Sequence, residues 1–230
     1  MAGIRACEAA WRSLLVTSSP SGFSGGDDAI MSAMPGRDVR HTPRVRLTYD
    51  DLIRMPDDGL RHEIIDGELY VSPAPGAPHQ SISLALSAML WHYLEANPIG
   101  RVFEAPFDVE LRTHDIVEPD VLYFSNAVAE VALKPSHLKG VPELVVEIES
   151  ASTRERDRTL KRRLYDDTGV REYWRIVPKS RTVEVHTRPQ PGDAFMAPRV
   201  LPPPDVLTSP LLPGFEVSLA RLFRGSDIQA

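Results

Sequence analysis

The residues best suited to chemistry in this chain are acids placed where acids are costly. Glu147 and Glu149 interrupt the apolar run Leu144-Val-Val-Glu-Ile-Glu149. Such a run reads as a buried strand, and an ionised carboxylate is costly to bury without a partner. Side chains alternate along a strand, so Val145, Glu147 and Glu149 share one face while Leu144, Val146 and Ile148 share the other. Two carboxylates side by side at a strand end repel each other unless a cation sits between them, which points to a metal. Asp120, behind Pro119 in an earlier apolar segment, adds a further acid. A ligand set of Asp and Glu oxygens suits Mg²⁺ or Mn²⁺ and not zinc. Downstream, Asp157, Lys161 and Tyr165 recur at helical spacing on one stripe, with Leu164 beside it. A lysine on that stripe can be aimed at the strand carrying Glu147, where it would orient water or stabilise a developing phosphorane charge. Carboxylates, one hard cation and a lysine form a coherent site for phosphodiester hydrolysis.

Other chemistries find little support. The seven histidines are scattered and form no helical zinc pair. No glycine-rich phosphate loop precedes a helix, and no serine nucleophile elbow is present. The single cysteine, Cys7, excludes an internal disulfide framework and fits a reducing, cytoplasmic setting. No apolar run approaches the roughly 18 residues needed to cross a bilayer. Glu8 and Arg12 sit in the most apolar part of the N-terminal segment, which argues against a signal peptide. Hydrophobic content of 42% and charged content of 25% are ordinary for a soluble protein. The formal net charge is -6, so nucleic-acid binding would rest on a local basic patch.

The elements that must position these residues follow from pattern. Residues 1–44 read as a flexible extension, with a Ser/Gly-rich stretch at residues 18–26 and with Met31 and Met34 as later candidate starts. One domain is expected over residues 45–230. Asp50 and Asp51 mark a helix N-terminus. Asp66-Gly67 turns a hairpin whose first strand holds Glu63. Ile82, Leu86, Met89, Leu90, Tyr93 and Leu94 predict an amphipathic helix over residues 79–97, stopped by Pro98 and Gly100. Residues 102–111 and 116–124 each read as one strand, and residues 126–139 as a loop. Ser152 and Glu155 fit a capping box for a basic helix over residues 154–167, with Gly169 as its stop. Residues 172–177 and 182–188 read as a hairpin, residues 190–204 as irregular, and residues 211–223 as an apolar closing segment. The fold class is α/β or α+β with a mixed central sheet.

Blander readings apply to each piece alone. A glutamate in a strand often lies at a solvated edge, a Pro-Asp pair is a common turn, and Lys161 sits in a basic run that suits a solvated face. His79 reads as a cap for the helix it precedes, and Tyr173-Trp174 as core. The ordered combination is what raises the site above them.

Taken together, the segments His62-Glu63-Ile-Ile-Asp-Gly-Glu68, His79-Gln80, Pro119-Asp120-Val121, Glu143-Leu-Val-Val-Glu147, Ser150 to Thr153, Asp157, Lys161, Tyr165, Gly169-Val170, Glu172-Tyr173-Trp174 and Leu212-Pro213-Gly214-Phe215 resemble the Uma-two family of restriction-endonuclease-like proteins, within the PD-(D/E)XK nuclease superfamily. The resemblance runs from about Thr48 to Phe223. It implies a restriction-endonuclease-like core, a divalent metal held by Asp120 and Glu147, and Glu63 as the helper acid. It also implies lysine two residues after Glu147, where this chain has Glu149. Lys161 looks like a migrated replacement; failing that, Glu149 would be a further metal ligand.

The expected activity is a Mg²⁺- or Mn²⁺-dependent endonuclease acting on DNA, with Glu63, Asp120, Glu147 and Lys161 as catalytic residues. Arg154, Arg156, Arg158, Arg162 and Arg163 would meet phosphates. Enzymes that cut both strands commonly dimerise, so a homodimer is one candidate assembly, although no self-association stripe stands out. Two alternatives stay open. A catalytically inactive nuclease fold kept for binding or regulation would bind no Mg²⁺ and turn Lys161 to solvent. Hydrolysis of RNA or a small phosphodiester is the other.

Overall fold

The computed structural model describes residues 45–150 and 157–225. The extension expected over residues 1–44 and the capping box at Ser152 and Glu155 lie outside the described residues. The Thr48 N–H and hydroxyl both donate to Asp51, at 2.9 and 2.8 Å, and start the one-turn helix α1 (Tyr49–Leu52). The first hairpin pairs β1 (Arg61–Ile65) with β2 (Glu68–Ser72), placing Glu63 opposite Tyr70. Its turn needs two left-handed residues, and Asp66 (φ 53°) and Gly67 (φ 79°) supply them. Helix α2 (Ala77–Ala96) starts after Gly76 with Pro78 in its first turn. Its Ile82, Leu86 and Leu90 are fully buried, each contributing about 1.5–3 kcal/mol by leaving water.

Three expected segments are divided differently. Residues 102–111 form two strands, β3 (Gly100–Glu104) and β4 (Asp108–Arg112), in separate sheets. Residues 116–124 likewise split into β5 (Asp115–Val117) and β6 (Val121–Ser125). Both breaks fall at prolines, Pro106 and Pro119, which have no N–H to give a ladder. The segment expected as a loop holds α3 (Asn126–Ala132), capped by the Ser125 hydroxyl, and the short strand β7 (His137–Lys139).

The opening acidic run is β8 (Leu144–Ile148). Beyond it, a π-helical turn (Asp157–Lys161) leads into α4 (Arg162–Thr168), which ends at Gly169. The expected hairpin is β9 (Glu172–Val177) and β10 (Thr182–Thr187). The stretch expected to be irregular contains β11 (Arg199–Leu201). The chain closes with β12 (Val206–Thr208), β13 (Glu216–Ser218) and the one-turn helix α5 (Leu219–Leu222).

The mixed central sheet has six strands in the order β11-β10-β9-β8-β6-β3, with β8 and β9 parallel. A second mixed sheet runs β2-β1-β5-β4-β7, with β4 and β7 parallel. One face of the central sheet presents Val121, Tyr123, Leu144, Val146, Ile148 and Trp174 to α2 and the closing segment. Its other face presents Leu122, Phe124, Val145 and Tyr173 to the second sheet and α4. Both faces are therefore buried, and Glu147, on the Val145 face, is turned inward between the sheets. The architecture is α+β, mixed sheets flanked by helices. Among the described residues no helix is long and apolar enough to cross a membrane.

Candidate active site

Glu147 leaves β8 on the face that looks toward the second sheet, and Glu63 leaves β1 of that sheet. Both are buried, at 2% and 0% exposure. Lys161 meets both of them. Its Nζ lies 2.8 Å from Glu147 Oε1 and 2.8 Å from Glu63 Oε1, and the side chain is 1% exposed. The lysine is the last residue of the π-helical turn, a local widening of the helix that recurs at functional sites. One turn later Tyr165 donates to the same Glu147 oxygen at 2.6 Å. Burial, then the Glu147 and Glu63 charges, keep the Tyr165 hydroxyl protonated well above its ordinary range. The spacing of Lys161 and Tyr165 thus brings two donors onto one carboxylate.

Asp120 stands in the turn between β5 and β6 with a different set of partners. Its Oδ2 accepts the Ile148 N–H at 2.7 Å and His79 Nε2 at 3.0 Å; its Oδ1 accepts an Arg61 nitrogen at 2.8 Å. Burial alone would raise its pKa. The His79 hydrogen bond and the Arg61 charge win, and hold it down to about 2. Arg61 also pairs with Glu118, Nε to Oε1 at 2.8 Å, and donates to the Glu118 carbonyl. Burial, with Asp108 and Glu63 nearby, raises the Glu118 pKa against the pull of Arg61. The Glu118 N–H in turn donates to Glu63 Oε1 at 3.0 Å, which links the two halves of the site.

Glu149 has left this group. Its carboxylate is paired with Arg175 of β9, which is also held by Glu184 at 2.5 and 3.0 Å. The picture of one cation between Glu147 and Glu149 is therefore corrected. Each takes a cation from a different element, because Arg175 faces Glu147 in the parallel ladder and reaches along it to Glu149. The solvated-edge reading of Glu149 is corrected as well, since its side chain is only 8% exposed. His79 lies inside the first turn of α2 and serves Asp120 rather than the helix end. Tyr173 and Trp174 are core, both fully buried. Of the basic residues, Arg163 is exposed and loosely paired with Asp167 at 3.5 Å, and Arg162 is half-buried. Arg154 and Arg156 lie outside the described residues, as does the side chain of Arg158.

Sequence reasoning passed over four participants: Arg61, Glu118, His79 as a partner of Asp120, and Tyr165 as a partner of Glu147. Two of them had a legible signal. Arg61 precedes Glu63 by two residues on one strand face, and Glu118 precedes Asp120 by two across a proline.

Whether these residues suit a divalent metal is a question of donors and charge. Among the described residues no three acidic or imidazole groups surround one point as a ligand set does. Lys161 stands between Glu63 and Glu147 instead, and Arg61 stands against Asp120. The donor chemistry does fit. Glu63, Glu118, Asp120 and Glu147 are hard oxygen donors set against two fixed cations, Lys161 and Arg61. That surplus of negative charge suits a hard dication. Asp120, Glu147 and Glu63 are the residues that would hold it.

Known proteins agree with the fold. The model of the Uma2 family, described as "Putative restriction endonuclease", matches residues 49–220. No curated protein matches the sequence. Among solved structures, the chain is similar to the crystal structure of "a putative nuclease belonging to DUF820" from Anabaena variabilis. The two share 19% identity at a TM-score of 0.64, over 77% of this chain and 97% of that one. With most of its folded sequence matched, the chain belongs to the Uma2 family.

Proposed function

We propose that this protein is a divalent-metal-dependent endonuclease that hydrolyses phosphodiester bonds in DNA. The observation that carries this reading is the buried Lys161 ammonium, 2.8 Å from both Glu63 and Glu147. A lysine kept only for solubility would not be sealed between two acids, since burying an ion pair costs several kcal/mol per ion before any gain. Lys161 would orient the attacking water and stabilise charge on the phosphoryl oxygens. Glu147 and Glu63 aim the lysine, and Tyr165 fixes Glu147. Asp120, Glu147 and Glu63 would hold Mg²⁺ or Mn²⁺. The metal, when bound, would neutralise phosphate charge and make water more acidic. Arg162 and Arg163 would meet the nucleic-acid backbone. The non-catalytic reading called for Lys161 in solvent, and its 1% exposure argues against that reading.

The test is cleavage of plasmid DNA by purified protein with Mg²⁺ or Mn²⁺, and with chelator, beside RNA and a small phosphodiester. Lys161→Met, Asp120→Asn and Glu147→Gln are each expected to lose about 100-fold or more in rate, the scale of removing a transition-state donor or ligand. Undiminished cleavage by Asp120→Ala and Glu147→Ala would remove the site from consideration.

A further inference from the structure

We propose that Arg61 is a built-in counter-ion of Asp120 that limits how tightly the site takes a divalent cation. The inference rests on the metal-dependent reading above and concerns a positioning residue. Arg61 begins β1, two residues before Glu63 and on the same face. Two of its guanidinium nitrogens donate hydrogen bonds and Nε makes an ion-pair contact. One is 2.8 Å from Asp120 Oδ1, Nε is 2.8 Å from Glu118 Oε1, and the third donates to the Glu118 carbonyl. Contacts on two sides hold the planar group in place.

The oxygen it touches is the one that matters. A carboxylate offers about four lone-pair sites, two per oxygen. Asp120 Oδ2 already accepts the Ile148 N–H and His79 Nε2, so its sites are filled by the fold. The coordinating capacity left to Asp120 therefore lies on Oδ1, the oxygen that Arg61 occupies in part. A fixed positive charge within hydrogen-bond distance of that oxygen opposes a dication, and screening is weak where both groups are buried. Lys161 opposes the metal at Glu147 and Glu63 in the same sense. Its ammonium is shared between two acids, whereas Arg61 sets a single guanidinium between Asp120 and Glu118. Arg61 thus keeps Asp120 neutralised and aimed in the metal-free protein, at the expense of metal affinity.

Calorimetric titration of the full chain with Mn²⁺ tests this, using Arg61→Gln to remove the charge and Arg61→Lys to keep it. Arg61→Gln should bind Mn²⁺ about tenfold more tightly or better, and should melt lower without metal but gain more from Mn²⁺ than the wild type does. The Mn²⁺ concentration for half-maximal cleavage should fall in parallel, with the KM for DNA unchanged. Arg61→Lys keeps the charge but loses the planar two-sided contacts, so it should bind Mn²⁺ more tightly than the wild type and less tightly than Arg61→Gln. A folded Arg61→Gln that binds Mn²⁺ no better than a metal-binding wild type overturns the inference and leaves the metal reading standing. Absence of Mn²⁺ binding in both proteins sinks the two together. If Arg61→Gln does not fold, the wild type decides: the Arg61 Nε–H resonance should move as Mg²⁺ is titrated. A resonance that stays still while calorimetry records Mg²⁺ binding refutes the role.

Discussion

Glu147 shows how much work one carboxylate does when two donors converge on it. Lys161 and Tyr165 both reach Oε1, at 2.8 and 2.6 Å, so either one removed still leaves the other on that oxygen. Tyr165→Phe keeps the ring and deletes only the hydroxyl. It should cost about 1.5–3 kcal/mol, the scale of a hydrogen bond to a charged group, and slow cleavage without abolishing it. Urea denaturation beside a plasmid assay would show both; full activity with full stability would mean that the hydroxyl is idle. At this scale the sequence was informative where a single period carried the message. Alternation in Leu144-Val-Val-Glu-Ile148 put Glu147 on the Val145 face, and the two faces do belong to different cores. It gave Glu149 the wrong partner, a cation shared with Glu147, because Arg175 comes from a neighbouring strand, and parallel register cannot be read from one strand alone.

At the scale of elements, the prolines and glycines decided what apolar pattern could not. Pro106 and Pro119 each cut a run that looked continuous, sending its two halves into different sheets. The second sheet was hidden for that reason, and with it the route by which Glu63 arrives opposite Glu147. Short strands such as β7 carry too few residues to show a period. Gly100, read only as a helix stop, has a further role at the start of β3. A Cβ there would lie 2.4 Å from the Phe124 carbonyl and 2.5 Å from the Tyr123 ring. Backbone cannot give way as a flexible side chain can, so Gly100→Ala should push β3 off β6. A loss of about 2–3 kcal/mol is expected, in the range of overpacking. Faster amide exchange along β3 and β6, with slow exchange kept in β9, would locate the damage; uniform exchange would argue against it.

For the molecule as a whole, two buried groups outside the site give stability a pH dependence of opposite signs. Burial raises the Glu172 carboxyl from its ordinary 4.5 to about 7, against the hydrogen bond from Ser209. Its contribution is fully present below pH 4.5 and is lost as pH rises through 7. Burial, with Arg162 adding to it, lowers His186 from 6.5 to about 4. That contribution is present above pH 6.5 and is lost as pH falls through 4. Glu172→Gln stays neutral throughout, so it should exceed the wild type by about 3 kcal/mol near pH 8 and by little near pH 4. Denaturation midpoints at the two pH values decide the matter, and an equal gain at both would show that titration is not the cause.

The bridge from Lys161 to Glu63 and Glu147 is buried, and this separates two roles of positive charge by their response to ionic strength. Mobile ions screen exposed charges over about 10 Å at 0.1 M salt and act weakly on buried pairs. Arg163, 81% exposed, lies within their reach, while Lys161 does not. Added KCl should therefore loosen DNA from the surface arginines and raise KM steeply, yet leave kcat at saturating DNA almost level. A kcat that fell in step with DNA affinity would place the catalytic cation in solvent during turnover. A level one would mean that the chemistry proceeds in a salt-indifferent interior while capture of the substrate is left to the surrounding electrolyte.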